Sequence, residues 1–438
     1  MRPIALSILA LFTACAALED TSGNDVRKSC GNGVCQGGES CGSCPEDCGS
    51  CADAGTPDSP PPVSTGYGPQ AAITCPAGAV QIAPGQDIPS IVAANPAGTS
   101  FCILAGTHRP TAPINPKSYD VLVGQYGAII DGSAVTMAYD IGSTSIIRGW
   151  NCTGCDHVTV QNLVLQNLAA HNCIGMLNGG DYWTVDHNET KGCKVGISTG
   201  TGSRVTYNYT HHNFTYAMGG YMGIGAVIDH NEIAYSGGTA DGGGSSACTK
   251  WAGGQNGHTN LTITHNYVHD CNTTGLWLDG ADDGNEIAYN RIENNVRGGI
   301  EWEVSLGGTV HDNTLSGNAV AIFVSNSQNV ETYNNTITQS SGMALQVFVD
   351  AARLTITNNY FHDNHVDLSA HPVSPVAGLT CINTTSCASF GTPNNNRFDR
   401  NAYNTGGRTG SAFWIWGGGG LTWSQWRAIP EDVNGSVQ

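Results

Sequence analysis

Positive charge is scarce in this 438-residue sequence: 17 Lys and Arg stand against 35 Asp and Glu, a net charge of −18. Such a surface repels a phosphate backbone, which excludes nucleic acid as a partner. An anionic polymer can approach it only with the help of a metal ion. Charged residues of both signs reach just 12%, too few for the polar faces of a helical bundle. Apolar runs are short. The longest, residues 4–14, falls below the ~20 residues of a bilayer span. No P-loop or dinucleotide fingerprint follows any strand-like segment. The 58 glycines keep no triplet period, which excludes collagen.

What the chain does have is cysteine, 17 in all. Cys15 stands alone at the end of a short apolar segment that follows Met1-Arg2, the form of a secretory signal over residues 1–17. Phe12-Thr13-Ala14-Cys15 resembles a bacterial lipobox, and Ala14-Cys15-Ala16 fits ordinary cleavage. The expected location is therefore secreted or attached to the cell envelope, with the membrane reached only through a lipid anchor. Six cysteines, Cys30, Cys35, Cys41, Cys44, Cys48 and Cys51, crowd into residues 30–51. Disulfides must hold such a piece, because it has no apolar core. It resembles small Cys-rich modules of secreted myxobacterial proteins, in which Glu39, Glu46 and Asp47 either bind Ca²⁺ or merely decorate a spacer. Residues 52–70 are rich in Pro, Ser and Gly, an extended linker. The other cysteines fall into couples: Cys75/Cys102, Cys152/Cys155, Cys173/Cys193, Cys248/Cys271 and Cys381/Cys387. In an exported chain these read as disulfides. Sequence alone does not fix the pairing, and Cys152-x-x-Cys155 is also open to a redox or metal reading.

The body of the chain is repetitive. An Asn followed by a short alternating segment recurs at Asn162, Asn188, Asn208, Asn231, Asn266, Asn290, Asn313, Asn335 and Asn359. Subtracting neighbouring numbers gives intervals of 26, 20, 23, 35, 24, 23, 22 and 24. Most fit one coil of a β-solenoid; the long one contains the Gly-rich residues 237–251. Asn tolerates left-handed backbone at a corner, and its amide can bond the Asn of the next coil. A second strand with period two follows in each repeat, as at residues 275–279, 299–303, 321–325 and 344–348. A propeller needs repeats of ~40–45 residues, about twice this period, and a sandwich has no fixed period. The expected fold is all-β: a right-handed parallel β-helix over residues 150–365. Residues 71–149 are expected to supply an N-terminal cap, with a helix near 90–98, and the first coils. A Trp-rich C-terminal lobe is expected over 366–438.

Period two places Leu276, Leu278, Ile300, Trp302, Val304, Ile322, Val324, Leu345 and Val347 inward. Trp277, Asp279, Glu301, Glu303, Phe323, Ser325, Gln346 and Phe348 then face solvent. With coils ~4.8 Å apart, three carboxylates converge beside exposed aromatics. Lys250 and Trp251 lie one coil earlier. Three chemistries fit. A glycosidase would use Asp279 and Glu303 as acid and nucleophile or base. A lyase would hold Ca²⁺ on Asp279, Glu301 and Glu303, with Lys250 removing a proton. A binding module would stack sugars on Trp277, Phe323 and Trp251 beside Gln346, with no chemistry.

Residues 98–109 (GTSFCILAGTHR), 114–117 (INPK), 123–133 (VGQYGAIIDGS), 248–251 (CTKW), 275–279 (GLWLD) and 299–305 (GIEWEVS) carry a family likeness. Over about residues 90–360 the chain resembles secreted bacterial right-handed parallel β-helix repeat proteins of the pectate-lyase-like superfamily. The resemblance implies the fold and a polysaccharide partner. Glu301-Trp302-Glu303 is also similar to the Glu-x-Glu strand of the Ca²⁺ site in the chondroitinase B and alginate lyase family. That family's catalytic Lys follows soon after, whereas Ser305-Leu306-Gly307-Gly308 contains none. The expected function is engagement of polysaccharide by a monomer, with cleavage or as a binding solenoid, and the expected cofactor is Ca²⁺.

Overall fold

The computed structural model describes residues 66–438 apart from 72, 137–144, 150–151, 178, 222, 239–246, 254–258, 339, 351–352, 354, 371–374, 385–386 and 411–412. The signal, Cys15, the Cys-rich module and residues 52–65 lie outside the described residues. The chain divides into two units, Met1–Gly66 and Tyr67–Gln438, and the fold below is that of the second.

Short alternating segments give short strands, and these stack in three parallel ladders. The first is a 13-stranded sheet that begins at Val80–Ile82 and ends at Arg397–Asp399. The second runs from Gly106–His108 through Tyr267–His269 to Ser436–Val437. The third includes Thr249–Ala252, Thr274–Asp279, Gly298–Glu303, Val320–Ser325 and Leu345–Asp350, each in register with the next. Each central coil contributes a strand to every ladder, the architecture of a parallel β-helix. An α-helix, Ile88–Ala94, lies at the N-terminal end with Ile88 and Val92 buried.

Asparagines bind the coils together. The backbone N–H of Asn208 donates to Oδ1 of Asn231 at 2.9 Å, Asn231 donates to Asn266, and Asn266 to Asn290, each at 2.9 Å. The column extends through Asn313, Asn335 and Asn364 to Asn401. Each Nδ2 within it also donates, for example from Asn266 to the Ile228 and Thr264 carbonyls at 2.9 Å. A buried amide thus has its donors and acceptor satisfied, the condition for keeping it in a core. Asp432 ends the column, accepting from Asn401 N and Nδ2, Tyr403 Oη and Trp426 Nε1. A carboxylate suits the last place because it accepts without leaving a donor unmet. Burial nonetheless pushes its carboxyl up to about 6.

Several expectations need correction. The left-handed residue at each corner is the one before the Asn: His187, Tyr207, His230, His265 and Tyr289 have φ of 52°, 53°, 52°, 54° and 57°. Asn162 is itself left-handed, and Leu163 occupies the column position, its N–H donating to Asn188. Asn359 belongs to another corner, where it accepts from Val330 N and donates to Asn396. Asn335 pairs instead with Asn364, so the interval there is 29 residues. Val304, expected inside, follows the end of its strand with φ 50°, and Ser305 is the buried residue. The coils do not stop at 365: Ala402–Asn404 and Trp414–Trp416 continue the second and third ladders. Insertions lengthen these coils and hide the period.

The tube interior is apolar, and each fully buried Ile, Leu or Val contributes roughly 1.5–3 kcal/mol. Trp302 fits among these narrow coils because Gly308 faces it. A Cβ on Gly308 would lie 2.6 Å from the Trp302 ring and 2.4 Å from the Asn285 carbonyl oxygen. Disulfides join Cys75–Cys102, Cys152–Cys155, Cys173–Cys193, Cys248–Cys271 and Cys381–Cys387, the couples that adjacency suggests. Cys173–Cys193 and Cys248–Cys271 span 20 and 23 residues, one coil each.

Candidate functional site

The third ladder brings most of the sequence-derived residues into two outward columns. Lys250, Trp277, Glu301, Phe323 and Gln346 are aligned on successive coils. Beside them run Asp279, Glu303, Ser325 and Phe348. Trp251 has the opposite parity. It aligns with Leu278 and Trp302, is fully buried in the tube, and donates from Nε1 to Thr199 Oγ1 at 3.2 Å. Its expected role on the sugar-facing side is therefore corrected: the indole is core.

The outward columns are covered rather than bathed in water. Trp277 and Glu301 are 4% and 1% exposed, and Phe323 is 8% exposed. Lys250 Nζ sits 3.4 Å from the centre of a Trp277 ring, and the Arg297 guanidinium lies 5.3 Å from the Trp277 ring and 5.9 Å from Phe323. These cation–π contacts close the face over its own aromatics. The Trp277 indole N–H is buried with no hydrogen-bond partner among the described residues. Leaving a buried donor unmet costs about 1–3 kcal/mol.

Each carboxylate has a cation. Lys250 Nζ is 2.9 Å from Asp279 Oδ2, and Arg297 Nη2 is 3.1 Å from Glu301 Oε1. Arg353 Nη1 donates to Glu303. Thr274 Oγ1 donates to the second oxygen of Glu301 at 3.1 Å. Burial pushes the Glu301 carboxyl up to about 8, with Glu303 adding to the effect and Arg297 opposing it. Burial wins because Glu301 has left water while the Arg297 side chain remains 30% exposed. Glu301 therefore holds a proton near neutral pH. Ca²⁺ takes about six to eight ionised or carbonyl oxygens. In this structure the three carboxyls are instead engaged by Lys250, Arg297 and Arg353.

Residues 253–425 match the family described as "Right handed beta helix region". The search of curated proteins returned no match. Among solved structures, the chain is similar to the PL6 family polysaccharide lyase Pedsa3628 from Pseudopedobacter saltans. Identity is 11%, coverage is 82% of this chain and 92% of that one, and the TM-score is 0.54. It is also similar to the Dettilon tailspike protein gp208, with 13% identity, coverage of 75% and 67%, and a TM-score of 0.51. The A-module of mannuronan C-5 epimerase AlgE4 from Azotobacter vinelandii gives 13% identity, coverage of 72% and 88%, and a TM-score of 0.50. At these identities the likeness is one of fold. The chain is a right-handed β-helix protein.

In this β-helix, sequence reasoning missed a second set of polar residues. The corner residues His187, Tyr207, His230, His265 and Tyr289 stack in turn, with ring centres 4.9, 5.0, 4.8 and 5.3 Å apart. The signal was present: six of the nine repeat asparagines, Asn188, Asn208, Asn231, Asn266, Asn290 and Asn313, are preceded by His, Tyr or Asp. Reading the repeat from its invariant residue alone drew the eye past its neighbour.

Proposed function

We propose that this β-helix protein is exported, engages a polysaccharide along the outward face of its third ladder, and cleaves it there by proton transfer. The observation that carries the reading is the contrast between Glu301 and Glu303, two residues apart on one strand. Burial keeps a proton on Glu301, while Glu303 lies nearer the surface against Arg353. Carboxyls in opposed environments supply the acid and base of general acid–base catalysis. Residues two apart on a strand are separated by ~6.6 Å, inside the ~6.5–9.5 Å of inverting glycosidases. Asp279 on the neighbouring coil is aligned with Glu303 and stands ~4.8 Å from it, nearer the ~5–5.5 Å of retaining ones. Hydrolysis thus has either Glu301 as acid with Glu303 as base, or Asp279 and Glu303 as acid and nucleophile. Elimination has Lys250 as the proton acceptor once it leaves Asp279, with Arg297 and Arg353 meeting a uronate carboxylate. The unmet indole N–H of Trp277 is a group a sugar hydroxyl would satisfy, and Gln346, which donates to Thr380 Oγ1 at 2.7 Å, lies in the same column. The disulfides support an oxidising compartment, and the names of the lyase and epimerase fold neighbours point to the same substrate class.

The test is product formation from neutral and uronate polysaccharides, read as reducing ends and as the ultraviolet absorbance of an unsaturated uronate. Asp279→Asn and Glu303→Gln are expected to lower the rate by about 100-fold or more. Wild-type rates in both variants would overturn the site. A non-catalytic sugar-binding solenoid is the second reading, favoured by the engagement of Asp279, Glu301 and Glu303 by Lys250, Arg297 and Arg353. It predicts retention of polymer with no product of either kind.

A further inference from the structure

At the corner between the first and second ladders, Asp229 receives two imidazoles. His230 Nδ1 is 2.7 Å from Asp229 Oδ2, and His265 Nδ1, one coil on, is 3.0 Å from Oδ1. The three donor atoms lie within 4.8 Å of one another. The two rings stack with centres 4.8 Å apart and planes 15° from parallel, and both Nδ1 atoms face the Asp229 carboxylate. Thr264 Oγ1 donates to Asp229 at 2.8 Å and holds the carboxylate in place. Tyr207 and Tyr289 close the stack at either end.

We propose that Asp229, His230 and His265 form a binding site for a divalent d-block cation such as Zn²⁺, separate from the third-ladder face and independent of its function. Imidazole and carboxylate are the donors such ions select. Bonds of about 2.0–2.1 Å in a tetrahedron set ligand atoms roughly 3.3 Å apart, close to the distances that the hydrogen bonds already impose. Binding replaces the Nδ1 protons, and each ring keeps a proton on Nε2. The side chains of His230 and His265 are 40% and 48% exposed, so an ion can enter and water can complete its shell.

The other histidine clusters lack this convergence. His269, His311 and His362 each place Nδ1 and Nε2 against two different carboxylates, so their donors diverge across the ring. Asp186 bonds His187, but the next ring in that stack is Tyr207. Glu189 already holds Lys191 at 2.9 Å beside His211.

The experiment titrates the full chain, free of any histidine tag, with Zn²⁺ alone against a chromophoric chelator, and with Co²⁺ followed by visible absorption. His230→Asn and His265→Asn keep a residue that tolerates the left-handed corner, and Asp229→Asn is a further variant for the carboxylate. Stoichiometric retention of Zn²⁺, weakened about tenfold or more in each of these variants and unchanged in His187→Asn, supports the site. Absence of retention, or retention that His187→Asn weakens as much as His265→Asn does, overturns it. The folded state of each variant is checked by circular dichroism, and a misfolded single variant is replaced by Asp229→Asn.

Discussion

On the outward face of the third ladder, Lys250, Trp277, Glu301, Phe323 and Gln346 follow one another coil by coil. At the corner after the first ladder, His187, Tyr207, His230, His265 and Tyr289 do the same. The stacking rule is identical and the chemistry is opposite. The face is covered, so charge survives there as the Lys250–Asp279 pair, while Glu301 beside Arg297 keeps its proton. The corner is open to water, so aromatic rings stack there and one carboxylate serves two imidazoles. In a solenoid a column is a continuous environment, and its exposure decides which side chains can occupy it.

The largest expected effect separates the two regions by the sign of their pH dependence. Glu301 has a folded carboxyl raised to about 8, against an ordinary value near 4.5. Its protonated form is favoured by folding, so its contribution is fully present below about pH 4.5. That contribution is lost as pH rises through about 8, a change on the order of 4–5 kcal/mol. Glu301→Gln should therefore gain stability over wild type progressively across that window, measured by urea unfolding at several pH values. Asp229 is lowered, so its contribution is present above the ordinary carboxylate range and is lost on acidification. Asp229→Asn should diverge from wild type at neutral pH and converge with it in acid. A single sign for both variants would erase the distinction.

Removing Lys250 tests how far the face depends on pairing. Lys250→Met leaves Asp279 without its partner and Trp277 without its covering cation. An unfolding free energy lower by about 1–3 kcal/mol is expected, together with a change in tryptophan fluorescence. No change in either would mean that the face is held by packing alone. The smallest effect belongs to the corner. Tyr207→Asn keeps a left-handed residue but removes a ring stacked on both His187 and His230. The expected loss is about 0.5–1.5 kcal/mol, read by thermal unfolding, and a loss as large as that of Lys250→Met would make the corner the stronger of the two regions.

Much of the fold was legible in the residues. Period-two segments spaced one coil apart specify stacked short strands, and the alignment of Trp277 with Glu301 and of Asp279 with Glu303 follows from strand parity and spacing. The misreadings share a cause. Asn162 and Asn359 look like members of the repeat, but a one-residue offset or an alternative corner places them elsewhere. Trp251 follows an insertion, and an insertion hides parity. The C-terminal coils were missed because long loops between Asp367 and Ala402 stretch the spacing while strand pairing continues.

The amino-acid order alone set the number and spacing of rungs, the inward parity of Leu276 and Ile300, and the asparagines that need one another's amides, because these depend on period and on local hydrogen-bonding capacity. Only the folded tube decided that Arg297 and Arg353 would reach Glu301 and Glu303, that Trp277 would be covered, and that His230 and His265 would meet at one carboxylate. Those contacts join residues from 4 to 50 positions apart, and their energies depend on the exclusion of water, which no stretch of sequence possesses until neighbouring coils close around it.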